Sequence, residues 1–166
     1  MRLGVTGASG MLGTALIDEL AKKYQVFATS RSKGLEREGI QWDCFDLTNL
    51  SKLKKWLVSS SPDVVVHCAA MVDIDGCENN DNFATKLHVD TTSTIANYLE
   101  KNNKRLVYIS TDSVFDGMKN RPYIESDKVN PLNVYAKTKL LGEKPVLMNT
   151  NGLVLRTNII GRSSLD

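Results

Sequence analysis

At 166 residues the chain is about one domain long, and 42% apolar residues are enough for a real core. Twenty-one basic and nineteen acidic residues leave a net charge of +2, and no basic run is long enough for a nucleic-acid or membrane-surface footprint. No window approaches the ~20 apolar residues that would span a bilayer.

The N-terminus, MRLGVTGASG, carries no signal-like apolar core, because Gly4, Gly7 and Gly10 interrupt it. Cys44, Cys68 and Cys77 form an odd set with no zinc-like Cys/His spacing. Cys44 and Cys68 lie in strand-like runs, where buried thiols are expected, and the setting expected is a reducing cytoplasm.

Along the chain, strand and helix patterns alternate. Arg2–Thr6 reads as a short buried strand followed by a glycine-rich turn. Leu12, Leu16 and Leu20 then mark one face of a helix ending near Lys23. Gln25–Ser30 and Ile40–Phe45 read as the second and third strands. Helical spacing of Leu50, Leu53 and Leu57 runs to Ser59–Pro62, and Val64–Cys68 is a continuous apolar run suited to a strand covered on both faces. A long helix is expected over Asn82–Lys101, a strand over Arg105–Ser110, a helix from near Pro131 to Leu147, and a last strand over Gly152–Arg156. This alternation predicts an α/β fold, a doubly wound parallel sheet of the NAD(P)-binding Rossmann type, filling residues 1–166 as one dinucleotide-binding domain. The loop Thr111–Asn130 is long, and it begins at a strand's carboxyl end, where such sheets hold ligands.

Within VTGASGMLG, glycines stand at 7, 10 and 13 between the first strand and first helix. Gly7 would permit the tight turn, Gly10 would let a pyrophosphate approach the backbone, and Gly13 would let the helix pack close to the sheet. The N–H groups and positive dipole end at Gly10, Met11 and Leu12 would face the phosphates. Glycines serving only a tight turn are the alternative. A carboxylate ending the second strand would select NAD, but that strand ends Thr29, Ser30, Arg31, Ser32. Ser30 and Arg31 suit a 2′-phosphate, which favours NADP(H) over NAD(H); Arg31 as a solvated loop residue is the other reading. Asp46, with Leu47 beside it in CFDL, would meet the adenine end of the cofactor or cap the next helix.

In NVYAKTK, Tyr135 and Lys139 are one helical turn apart on the same face. A tyrosine titrates near 10, and bringing it to ~7 takes roughly 4 kcal/mol of preference for phenolate. A lysine ammonium and an oxidised nicotinamide could supply that, letting the phenol protonate a carbonyl oxygen as hydride reaches carbon. By itself the pair reads as surface decoration, and beside a dinucleotide turn, at this distance down the chain, it reads as catalytic. Ser110 and Thr111 both offer a hydroxyl that would polarise the same carbonyl, or they simply start the turn.

Together these residues resemble the extended short-chain dehydrogenase/reductase family, with its TGxxGxxG turn and YxxxK pair. More narrowly, VVVHCAAMVDIDGCE, STDSVFDG and NPLNVYAKTKLLGE look like the dTDP-4-dehydrorhamnose reductases, over Met1 to about Gly161. The resemblance implies Thr111 as the carbonyl-binding hydroxyl, Tyr135 as acid/base and Lys139 as its electrostatic partner. It implies that Ala69, Ala70 and Met71 lie along the cofactor and Asp112 near the sugar. It implies an NADP(H)-dependent reductase of a 4-keto nucleotide-sugar, with a homodimer open and no metal. Family members carry a larger C-terminal portion over the sugar, so this chain is expected to be a truncated piece that binds cofactor without catalysis, half of its cleft wall being absent. Ser113 replaces the tyrosine of STDYVF, His88 replaces an asparagine and is expected to be structural, and HCAA replaces NAA. An epimerase or dehydratase, kept alive by Asp112, is one alternative. Another is an NADP-binding regulatory module resembling the beta subunit of methionine adenosyltransferase.

Overall fold

The computed structural model describes residues 1–34 and 38–161. Six strands, β1 Arg2–Thr6, β2 Gln25–Ser30, β3 Ile40–Cys44, β4 Val64–His67, β5 Arg105–Thr111 and β6 Gly152–Thr157, make one sheet. Their order is β3-β2-β1-β4-β5-β6, and every pairing is parallel. This is the doubly wound sheet that the alternation predicts. The order reverses between β1 and β4, so a crevice opens at the carboxyl ends of those two strands.

Two helical layers are built from opposite faces of the strands. On one face, Phe27, Val65, Leu106 and Tyr108 meet Leu53, Trp56 and Leu57 of α2 (Leu50–Ser60), Ile95 and Leu99 of α5 (Thr91–Lys101) and Val146 of α6 (Val134–Leu147). On the other, Val5, Val26 and Ala28 pack with Ile17 of α1 (Met11–Leu20). The strictly alternating register puts Leu3 and Val5 against one layer and Gly4 against the other. A side chain at Gly4 would press on the Trp56 ring at 3.0 Å.

Asp81–Lys101 is helical throughout, as α4 (Asp81–Thr85), a π-helical turn (Lys86–Asp90) and α5. The expected long helix is therefore present, but it holds an i→i+5 turn that its apolar spacing does not reveal. A short α3 (Ile74–Asn79) precedes it in a segment with no periodic signal. The last helix begins at Val134 rather than near Pro131, because Asn133 caps it by accepting from the Ala136 N–H at 2.8 Å. Cys44 corrects the expectation of a buried thiol: it ends the edge strand β3 and is exposed, whereas Cys77 on α3 is buried. No helix among the described residues is long and apolar enough to cross a membrane.

Candidate functional site

The turn after β1 is built for an approach that only bare backbone allows. Gly7 has φ +65°, and a Cβ there would stand 2.7 Å from the Ala69 backbone. A Cβ at Gly13 would stand 2.2 Å from the Gly7 carbonyl oxygen, so Gly13 serves the turn itself rather than the packing of helix on sheet. Gly10 is less constrained, at 3.3 Å from the same oxygen, and it caps α1 without a side chain. With no carboxylate in the first turn of α1, its N–H groups are left for an anion.

That turn floors a cleft of about 950 Å³, within the usual range for a small-molecule site. Gly7, Gly10, Met11, Leu12 and Gly13 line it from the turn, and Ser30 and Arg31 from the end of β2. Asp46 and Leu47 follow from the end of β3, and Ala69, Ala70 and Met71 from the end of β4. Thr111 and Asp112 come from β5, Tyr135 and Lys139 from α6. All sixteen candidate residues thus face one space, because parallel strands deliver their carboxyl ends to one side of the sheet.

Several local ambiguities resolve. Asp46 does not cap α2; Asn49 does, accepting from the Lys52 N–H at 3.1 Å. Asp46 instead closes its own turn, accepting from the Thr48 N–H and hydroxyl at 2.8 Å each. Arg31 is exposed at the rim, and the Ser30 hydroxyl donates to the Ser32 carbonyl. Ser110 and Thr111 part company: Ser110 Oγ donates to the buried carboxylate of Glu143 at 2.6 Å. Thr111 Oγ1 accepts from the Ser113 N–H at 3.1 Å and lies within hydrogen-bonding reach of the Tyr135 phenol.

Tyr135 is half-buried, and burial pushes its phenol above the usual 10, against a smaller pull downward from Thr111. Lys139 does not reach that phenol. It is 1% exposed, its Nζ donates to the Ile109 carbonyl at 2.6 Å, and it sits 4.1 Å above the Tyr108 ring. Burial draws its pKa down to about 7. The i,i+4 spacing puts the two side chains on one face, yet the lowering of the phenol expected from the lysine is not part of this structure. Cys68, also on the cleft, is pushed up to about 12 by burial and is an unreactive thiol.

Phe83, Leu87, Thr157, Asn158 and Ile159 also line the cleft and carry no motif. Thr157 ends β6 and Asn158 and Ile159 follow it, so all three were open to the rule that strand carboxyl ends face the ligand. Phe83 on α4 and Leu87 on the π-helical turn were not, since neither stands at a strand end.

The RmlD substrate binding domain matches residues 1–163. The chain belongs to that family. Within it and around it, the chain is 38% identical over 160 residues to the Bos taurus methionine adenosyltransferase 2 subunit beta, covering 96% of this chain and 47% of that protein. Among solved structures it is similar to a hypothetical dTDP-4-dehydrorhamnose reductase from Sulfolobus tokodaii, with 36% identity and a TM-score of 0.78 over 88% of this chain and 52% of that one. A dTDP-4-dehydrorhamnose reductase from Bacillus anthracis, solved in complex with NADP, gives 29% identity and a TM-score of 0.78 over 93% and 52%. The RmlD-family chain therefore spans about half the length of the relatives it matches.

Proposed function

We propose that residues 1–166 are the dinucleotide-binding part of an NADP(H)-dependent reductase of a 4-keto nucleotide-sugar, of the short-chain dehydrogenase/reductase type. The part covering the sugar would be supplied by chain beyond it. The observation that carries this reading is the meeting of Thr111 and Tyr135 at the end of β5, across one cleft from a glycine turn that a Cβ would fill. The residues present fit a dinucleotide: the turn and first N–H groups of α1 would hold the pyrophosphate, and Ser30 and Arg31 a 2′-phosphate. Ala69, Ala70 and Met71 would lie along the nicotinamide side. When bound, NADPH would supply the hydride.

The chain's own residues would handle the proton. Burial keeps the Tyr135 phenol protonated at neutral pH, as a proton donor must be. Thr111 would hold the substrate carbonyl oxygen beside that phenol, and Asp112 would meet sugar hydroxyls. After the proton leaves, the phenolate would be stabilised by the Thr111 hydroxyl and by whatever positive charge Lys139 retains. The test is NADPH oxidation by the full-length protein against a panel of 4-keto nucleotide-sugars, with NADH as competitor. Tyr135→Phe is expected to lower turnover at least ~10²-fold with NADPH affinity unchanged.

A second reading is favoured by one particular observation, the 38% identity to a methionine adenosyltransferase subunit. Under it the chain is an NADP-binding module that assembles with another protein. Tight NADPH binding with no turnover of any sugar, and no difference between wild type and Tyr135→Phe, would select it. An epimerase or dehydratase, suggested by Asp112 beside Thr111, would instead release product without net NADPH consumption.

A further inference from the structure

His88 sits on the π-helical turn and is wholly buried. Its Nε2 lies 2.9 Å from the Met71 backbone nitrogen, and its Nδ1 lies 2.8 Å from Thr138 Oγ1. A backbone N–H can only donate, so Nε2 must present a lone pair. The single proton of the neutral ring is therefore on Nδ1 and is donated to Thr138. Thr138 in turn aims its hydroxyl at the Val134 and Tyr135 carbonyls, 2.8 and 3.0 Å away. One run of donors leads from the Met71 N–H, through the imidazole, to the backbone of Tyr135. The two rings also meet edge-on, with centroids 5.8 Å apart.

We propose that His88 is a positioning residue that clamps the Met71 wall of the cleft to the first turn of α6, and so sets where the Tyr135 phenol stands relative to a bound dinucleotide. It acts as a neutral ring in one tautomer and relays no proton. The ionisable groups about it are Lys139 and Tyr135 on α6 and His67 on β4. Burial, with Lys139 adding to it, holds the His88 pKa down at about 3. An imidazolium would also set a second N–H against the Met71 N–H.

The geometry explains why an imidazole is used. A side-chain amide places its polar atoms at one distance from Cβ. Asparagine reaches only as far as Nδ1 does, and glutamine only as far as Nε2. Each amide keeps one half of the clamp and loses the other. The π-helical turn is what brings the ring to this position, an irregularity common at functional sites.

The catalytic purpose of the clamp rests on the reductase reading, while the clamp itself does not, and the experiment separates them. In ¹⁵N-labelled full chain, the His88 ring is expected to show a pyrrole-type Nδ1 and a pyridine-type Nε2, unchanged from about pH 5 to 9. His88→Asn is expected to weaken NADPH binding roughly tenfold, since the Met71 N–H is left unpaired, with the Tyr135 titration unmoved. His88→Gln is expected to keep NADPH affinity within about twofold, while kcat falls roughly tenfold at unchanged KM and the Tyr135 titration shifts. A protonated Nε2, or two variants that move affinity and titration together, would overturn the assignment. Should the variants not fold, the nitrogen spectrum of the native chain decides alone. A chain that shows the tautomer and the split in affinity and titration yet reduces no sugar leaves His88 as assigned and removes the reductase reading.

Discussion

Lys139 shows how far a buried side chain departs from its ordinary chemistry. Its folded pKa of about 7 lies below the ordinary 10.5, so between those values the unfolded chain binds the extra proton. Stability must then rise with pH across that window: the penalty is complete below 7 and relieved only above 10.5. Because Cys68, pushed from 9.0 up to about 12, works in the opposite sense above 9, the clean interval is pH 7 to 9. Denaturant melts of the cofactor-free chain should show stability rising by up to ~1.4 kcal/mol per pH unit there, and Lys139→Met should flatten that slope. A slope equal in both proteins would mean the amine is solvated. At Gly13 the constraint is steric instead. Gly13→Ala puts a methyl 2.2 Å from the Gly7 carbonyl oxygen, which is backbone and cannot rotate away. Loss of NADPH binding by at least ~10-fold is expected, with a smaller loss for Gly10→Ala, where the gap is 3.3 Å. Calorimetric titration of both variants would check the order.

At the scale of elements, α6 is a ladder of three polar rungs. Tyr135, Lys139 and Glu143 repeat every four residues on one face, and each meets the sheet differently. Glu143 is 1% exposed and accepts from Ser110 Oγ, from Arg156 Nε at 3.0 Å and from Arg156 Nη2 at 2.7 Å. This ties α6 to both β5 and β6 just below the cleft. The partners are unequal, since the Arg156 side chain remains 20% exposed and that of Glu143 only 1%. Arg156→Met strands a buried carboxylate and should cost about 3–5 kcal/mol, whereas Glu143→Leu leaves a guanidinium that can turn to water and should cost less. The double variant Arg156→Met with Glu143→Leu should recover most of the loss. Thermal unfolding of the four proteins would measure the coupling, and additive effects would contradict it.

Across the whole molecule, the two faces of the sheet are not equivalent. Leu106 and Tyr108 of β5 are fully buried under α5 and α6, while on the opposite face Leu153 and Leu155 of β6 are 46% and 42% exposed beside Val107 and Ile109. Leu106→Ala should cost about 2–5 kcal/mol and Leu153→Ala under about 1 kcal/mol, measured as changes in urea midpoint at constant slope. Equal losses would show the exposed face to be covered in solution.

The amino-acid order alone determined the alternation of strands and helices, the parallel sheet and the glycine turn, because apolar periodicity and backbone freedom are local properties. It also marked sixteen of the residues that line the cleft, from strand carboxyl ends, the glycine turn and one helix, but not Phe83, Leu87, Thr157, Asn158 or Ile159. Three things were decided only by packing in three dimensions. The π-helical turn brings His88 between Met71 and Thr138, although its spacing reads as plain helix. The Lys139 amine faces the Ile109 carbonyl and the Tyr108 ring rather than the phenol one turn away. The Tyr135 phenol moves up, not down, because desolvation is a property of everything folded around a group and no spacing of residues encodes it.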